Sequence, residues 1–185
     1  MTDDELKLAL REHAYLEGDF LLRSGKRSKY YWDKYRFETR PDTLAALGDR
    51  LAAAVELHEP EAVRLAAPEL GAVALAAATS LVSQLPFVIV RGAAKEYGTA
   101  NQVEGAYDEG DRVCLIEDIV TSGGALLEAS DALREAGLTV ETALCVVDRE
   151  EGGVEALAER GVRLRPLFRA AELVEGAKTP AKPHG

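Results

Sequence analysis

The chain has 185 residues, of which 47% are hydrophobic and 29% charged, and its formal net charge is −10. That is enough apolar content for one domain with a sizeable core, and the acidic balance argues against nucleic acid or a membrane surface as the main partner. No apolar stretch reaches membrane-spanning length, and the acidic, amphipathic opening MTDDELKLALREHAYLEG is unlike a signal peptide.

In chain order, residues 3–16 have helical spacing, with Leu6, Leu10 and Ala14 on the inner face. Residues 19–23 and 29–37 are rich in aromatic and β-prone residues, and the Ser24-Gly25-Lys26 turn between them predicts a hairpin. Cations concentrate in the same region. Arg23, Lys26, Arg27, Lys29, Lys34, Arg36 and Arg40 against Asp33 and Glu38 make residues 23–40 a +5 island and leave −15 on the remainder. Such an island suits an anionic small molecule or a partner's acidic face, although most of these side chains fit a solvated hairpin. Pro41 and Asp42 open a second helix with Leu44, Leu47, Leu51 and Val55 on one face. From residue 62 onward, strands at about 63–67, 87–91, 113–118, 140–147 and 163–167 alternate with helices at about 71–83, 124–136 and 153–160. This alternation predicts an α/β fold with a central, mostly parallel sheet flanked by helices. Residues 92–111 break the pattern, with glycines at 92, 98, 105 and 110. They read as a long, flexible lid loop with room for two short strands. Cys114 and Cys145 fall in expected buried strands and read as small hydrophobes in a reducing, cytoplasmic setting. The segment 176–185 is small, polar and proline-bearing, and reads as disordered.

The most informative run is VCLIEDIVTSGG at 113–124. A short apolar run, Val113 to Ile116, predicts a buried parallel strand. Glu117 and Asp118 follow, then Ile119, Val120 and the turn Thr121-Ser122-Gly123-Gly124, and a helix begins beyond it at Ala125. Glycines let backbone amides approach an anion closely, hydroxyls add donors, and a helix N-terminus adds unpaired N–H groups. A bare phosphate would be repelled by the acidic pair. A ribose 5-phosphate satisfies both halves, because its hydroxyls donate to carboxylates.

These residues resemble the phosphoribosyl-pyrophosphate motif of the type I phosphoribosyltransferases. Four further segments, GDFLLRSGKRSKYYWD at 18–33, APELGAVALAAA at 67–78, RGAAKEYG at 91–98 and VVDREEGG at 146–153, resemble in order the hood hairpin, the pyrophosphate-side loop, the catalytic loop and the base-side segment of the orotate-using branch. The resemblance implies one domain over 1–175, with a hood at about 1–40 and a core at about 41–175. It implies transfer of a phosphoribosyl group to orotate with Mg²⁺, the ion being held mainly by substrate, and a homodimer in which the 92–111 loop acts across subunits. Glu117 and Asp118 would hold the ribose hydroxyls, and Ile119, Val120, Thr121, Ser122, Gly123, Gly124 and Ala125 would wrap the 5-phosphate. Arg23, Glu69, Leu70, Arg91, Lys95 and Tyr97 would meet the donor, with Lys95 and Asp118 as the catalytic pair. Tyr31, Trp32, Thr121 and Arg149 would form the orotate site, where a guanidinium fork suits a carboxylate.

Three positions depart from the family pattern. Gly92 stands where a second lysine is usual, Tyr97 where a histidine is usual, and Leu70 where some members have lysine. The loop therefore offers less charge to a departing pyrophosphate, which implies altered kinetics. Arg149 also has a structural alternative as an ion-pair partner of Glu150 or Glu151. Tyr31 and Trp32 alternate on a strand, so at most one faces a given pocket. His13, His58 and His184 lack ligand spacing for zinc, and no Walker lysine or GxGxxG occurs. Two other functions stay open on sequence alone: a transferase for another base, and a non-catalytic sensor of the same phosphorylated sugar.

Overall fold

The computed structural model describes residues 1–21, 25, 27–92 and 101–175. An N-terminal helix, α1 (Asp3–Ala14), starts on a capping box in which the Thr2 hydroxyl accepts from the Glu5 amide and the Glu5 carboxylate accepts from the Thr2 amide. Its inner face is Leu6, Leu10 and Ala14, as the spacing requires. The hairpin β1 (Tyr15–Leu21) and β2 (Arg27–Trp32) follows as a separate antiparallel pair. β1 begins four residues earlier than the sequence suggests, because Tyr15 stacks on Tyr30 and meets Trp32 edge-on.

The second strand of the hairpin is shorter than expected. It stops at Trp32, and residues Tyr35–Glu38 form a helical turn, α2. A strand would place Phe37 and Glu38 on opposite faces; the helical turn buries both. The aromatic bias of the segment reflects its packing, not an extended backbone. The helix α3 (Pro41–His58) buries Leu47, Leu51 and Val55, with Leu44 packed at the edge of the same cluster.

The rest is a six-stranded sheet built from β3 (Arg64–Pro68), β4 (Phe87–Val90), β5 (Val103–Glu104), β6 (Arg112–Val120), β7 (Thr139–Asp148) and β8 (Arg163–Arg169). Its spatial order is β5-β4-β3-β6-β7-β8, parallel throughout except for β5, which runs antiparallel to β4 at the edge. Part of the irregular 92–111 segment is therefore strand. β4 and β6 are not neighbours, since β3 lies between them. The helices α4 (Gly71–Ser83), α5 (Gly124–Glu135) and α6 (Gly153–Glu159) sit in the crossovers, and a short α7 (Ala170–Glu175), not signalled in the sequence, closes the described chain.

Two apolar clusters cover the faces of the sheet. One joins Leu6, Leu10, Trp32 and Phe37 of the N-terminal segment to Leu47, Leu51, Leu75 and the inner side of β6 and β7. The other packs Leu126, Ala129 and Leu133 of α5 on the opposite side. The hairpin segment is thus rooted in the same core as the sheet. Cys114 and Cys145 are both buried and unpaired, one in each cluster. No helix among the described residues is long and apolar enough to cross a membrane.

Candidate active site

In the order β4-β3-β6-β7-β8, the chain moves outward from β3 to β4 and then returns to lay β6 on the other side. The carboxyl ends of β3 and β6 therefore flank a topological switch point, where open α/β sheets bind their ligands. Both ends carry candidate residues: Glu69 and Leu70 just past β3, and Glu117 to Ala125 at the end of β6.

The turn after β6 is held close to its neighbours. Gly123 is the N-cap of α5 with φ 81°, a left-handed conformation that favours glycine, and no side chain among the described residues caps the helix. Its first amides stay open to an anion. Gly153, at the start of α6, lies directly against this turn. A Cβ there would stand 2.5 Å from Val120 Cγ1 and 2.7 Å from the Thr121 carbonyl oxygen. The Arg149 amide donates to the Val120 carbonyl at 2.9 Å, tying the end of β7 to the same place. Glu117, Val120, Thr121, Gly123, Gly124 and Ala125 line the small pocket that results.

Glu117 and Asp118 are 6% and 2% exposed, which is unusual for carboxylates. Each is held by main chain. The Asp118 amide donates to Glu117 Oε1 at 2.9 Å, and the Ile119 amide donates to Asp118 Oδ1 at 2.5 Å. Asp118 Oδ2 accepts from Lys34 Nζ at 2.8 Å. Burial, then the charge of Asp118, pushes the Glu117 carboxyl up well above the usual carboxylate range. Glu38, on α2, is 3% exposed, and burial followed by the charge of Asp118 pushes its carboxyl up to about 8. Three acids thus converge at the end of β6 around one lysine.

On the β3 side, Glu69 Oε1 accepts from the Gly92 amide at 3.0 Å, and a cis peptide joins Glu69 to Leu70, whose side chain is exposed. Glu69, Arg91 and Gly92 line a second pocket of about 280 Å³ that shares Ala125 with the first. Arg91 reaches this space although β3 intervenes between its strand and β6. Its Nη1 lies 3.9 Å from Glu104, and its Nε is buried without a hydrogen-bond partner among the described residues.

The hairpin residues separate by face. Trp32 is 3% exposed and packs on Tyr15, whereas Tyr31 is 41% exposed and touches Phe20. Of the two, Tyr31 has side-chain surface to offer a ligand. Arg149 Nη2 pairs with Glu151 at 2.8 Å, so the structural alternative is present. Yet its side chain is only 9% exposed, its guanidinium carbon lies 5.3 Å over the Tyr30 ring, and its Nε has no hydrogen-bond partner among the described residues. Arg23, Lys95 and Tyr97 lie outside the described residues.

The sequence reading left Lys34 and Glu38 without a role. Lys34 was one cation among seven in a basic stretch, and the residue it meets is 84 positions away. The four-residue spacing of Lys34 and Glu38 on one helical turn is the only local trace of their partnership.

A parallel sheet with paired acids and an amide-lined turn at its switch point defines a protein that binds a phosphorylated sugar. The model of the phosphoribosyl transferase domain matches residues 42–162, and the chain belongs to that family. Within it, the chain is similar to orotate phosphoribosyltransferases. That of Halobacterium salinarum is 47% identical over 174 residues, covering 94% of this chain and 97% of that protein. The crystal structure of the Aeropyrum pernix orotate phosphoribosyltransferase superposes with a TM-score of 0.81 at 31% identity, covering 94% of this chain and 99% of that one. The Mycobacterium tuberculosis orotate phosphoribosyltransferase, solved in complex with 5-phospho-α-D-ribosyl 1-diphosphate (PRPP), gives a TM-score of 0.76 at 28% identity, covering 91% of this chain and 96% of that one.

Proposed function

We propose that the chain transfers the phosphoribosyl group of PRPP to orotate, giving orotidine 5′-monophosphate and pyrophosphate. The observation that carries this reading is the uncapped, glycine-bearing turn directly after two buried acids at the switch point. The 5-phosphate occupies the amides of Thr121 to Ala125, and the ribose hydroxyls donate to Glu117 and Asp118. The diphosphate lies toward Glu69, Leu70 and Arg91. Orotate sits on the hairpin side, its carboxylate on Arg149 and its ring beside Tyr31 and Thr121.

The bond from the anomeric carbon to the diphosphate oxygen breaks, the leaving group taking the electron pair, and the orotate nitrogen supplies the pair for the new bond while its N–H proton passes to water or to the departing diphosphate. Positive charge develops on the ribose, as in glycoside cleavage. The chain needs no nucleophile of its own. It aligns two substrates and stabilises charge on the departing diphosphate, the latter through Arg91 and, on the loop, Lys95. A resident metal cage does not fit this donor set. Among the described residues no three His, Cys, Asp or Glu side chains group as metal ligands, and one Asp118 oxygen is already on Lys34. An Mg²⁺ held mainly by the substrates would fit, and it would supply neutralisation of the leaving group. The reading pairs two copies of the chain, each 92–111 loop serving the other's donor site, on the resemblance of RGAAKEYG to the family's catalytic loop. The two unpaired, buried thiols suit a reducing cytoplasm.

Pyrophosphate release with PRPP and, in parallel, orotate, uracil, hypoxanthine or adenine tests this. Release with orotate alone is expected. Release with another base in its place overturns the assignment of Arg149, and no release with any base overturns the reading.

A further inference from the structure

Three elements distant in sequence meet at Asp118. From the N-cap of α2, Lys34 Nζ donates to Oδ2 at 2.8 Å. From the same turn, the buried Glu38 lies within the field of Asp118, and its Oε1 has no hydrogen-bond partner among the described residues. From α4, the first residue is Gly71, and a Cβ there would stand 2.0 Å from Asp118 Oδ2 and 2.8 Å from Lys34 Nζ. The space for this ion pair exists only because position 71 has no side chain. We propose that Lys34 and Glu38 are positioning residues for Asp118: the hood sets the carboxylate that receives the donor's ribose hydroxyls. The proposal rests on the phosphoribosyltransferase reading and extends it to residues of the hood.

The physical argument is one of crowding. Glu117, Asp118 and Glu38 cannot all ionise side by side in a buried site without a cation. Lys34 is that cation. Burial presses its pKa down, but Asp118, with Glu117 behind it, outweighs burial and raises it, so the ammonium persists. Burial and the charge of Asp118 push the Glu38 carboxyl up to about 8, which favours its protonated form, and in that form it would serve as a donor toward Asp118. Asp118 itself is held on both oxygens, by the Lys34 ammonium on Oδ2 and by the Ile119 amide on Oδ1. The Tyr35 ring lies 5.4 Å under Lys34 Nζ, and the Cys145 thiol on β7 is pushed up by burial and by the nearby acids.

The test measures PRPP binding directly by calorimetry, beside thermal melts and steady-state kinetics. Lys34→Met keeps the stem and removes the charge. It should weaken PRPP binding by roughly 10- to 100-fold, the range for losing a hydrogen bond to a charged group, with the orotate KM unchanged. Glu38→Gln keeps a donor toward Asp118 and should bind PRPP like the wild type, whereas Glu38→Ala should not. If Lys34→Met binds PRPP as tightly as the wild type, or weakens both substrates alike, Lys34 does not position Asp118. If Glu38→Gln is as weak as Glu38→Ala, Glu38 is not the donor. If the wild type itself binds no PRPP, the failure belongs to the phosphoribosyltransferase reading.

Discussion

Replacing Gly153 by alanine should damage the donor site from beneath, without replacing any residue that meets a ligand. The added methyl would stand 2.7 Å from the Thr121 carbonyl oxygen and 2.5 Å from Val120 Cγ1, where ordinary contact begins at 3.4 Å. The turn must retreat by about 0.7 Å, or α6 must move by the same amount. Overpacking of this kind costs about 1–3 kcal/mol. For a chain of this size each kcal/mol lowers Tm by about 2–4 °C, so the fall should be roughly 2–12 °C. A displacement approaching 1 Å at an anion cradle can cost about 100-fold, so the PRPP KM should rise by roughly 10- to 100-fold. Gly152→Ala is the control. Gly152 has φ 94° with nothing within 4 Å of its missing Cβ, so that variant carries left-handed strain of about 1–2 kcal/mol but no push on the turn. Melting curves and initial rates against PRPP concentration for the two variants decide the matter. A Gly153→Ala protein with a wild-type PRPP KM would show that contact with α6 does not shape the turn.

Arg149→Ala should raise the orotate KM by roughly 10- to 100-fold and leave the PRPP KM in place, the loss expected for a charge-assisted contact to a carboxylate; an equal rise for both substrates would place Arg149 outside the base site. Lys95→Ala should lower kcat by about 100- to 1,000-fold with smaller changes in KM, since it acts on charge that appears as pyrophosphate departs, and single-turnover rates equal to wild type would remove it from the chemistry. Glu38 binds its proton more tightly in the folded chain than in the unfolded one, so the folded state carries the extra proton from the ordinary carboxylate range up to about 8. Stability relative to Glu38→Gln should therefore fall as pH rises through that window, and urea melts showing a level or rising difference would contradict the burial of this acid.

The fold was legible where a pattern is carried by neighbours in sequence. Val113 to Ile116, the two acids and the paired glycines fixed a strand, a turn and a helix, because strand length, charge and glycine placement are local properties. The hairpin end was not legible. Tyr30, Tyr31 and Trp32 favour a strand, and the same bias continued through Tyr35 and Phe37, where the chain turns to bury Phe37 and Glu38 together. Strand order was beyond sequence as well: β3 lies between β4 and β6, the strands that the 92–111 connection links. In the site, the acids, the turn and Arg149 were marked by motif. Lys34 and Glu38 were not, because what distinguishes them is an aspartate on another element. Gly153 belonged to a recognised segment, but its physical reason is a carbonyl oxygen some thirty positions earlier in the chain.

The switch-point strands are joined to each other and to β7 by parallel main-chain pairing, which on the β7 side runs from Cys114 to Val120 beyond one register shift. Thermal agitation therefore carries the acidic pair, the glycine turn and the anchor of Arg149 as a single slab, and their mutual spacing is inherited from the backbone, not from side-chain packing. Sequence drift in the helices that clothe the slab should erode its melting temperature long before it blurs the spacing of the groups along its rim. The hood stands apart from that pairing and touches the rim through side chains, so it is the part of the molecule through which selection can retune ligand affinity while the slab stays as it is.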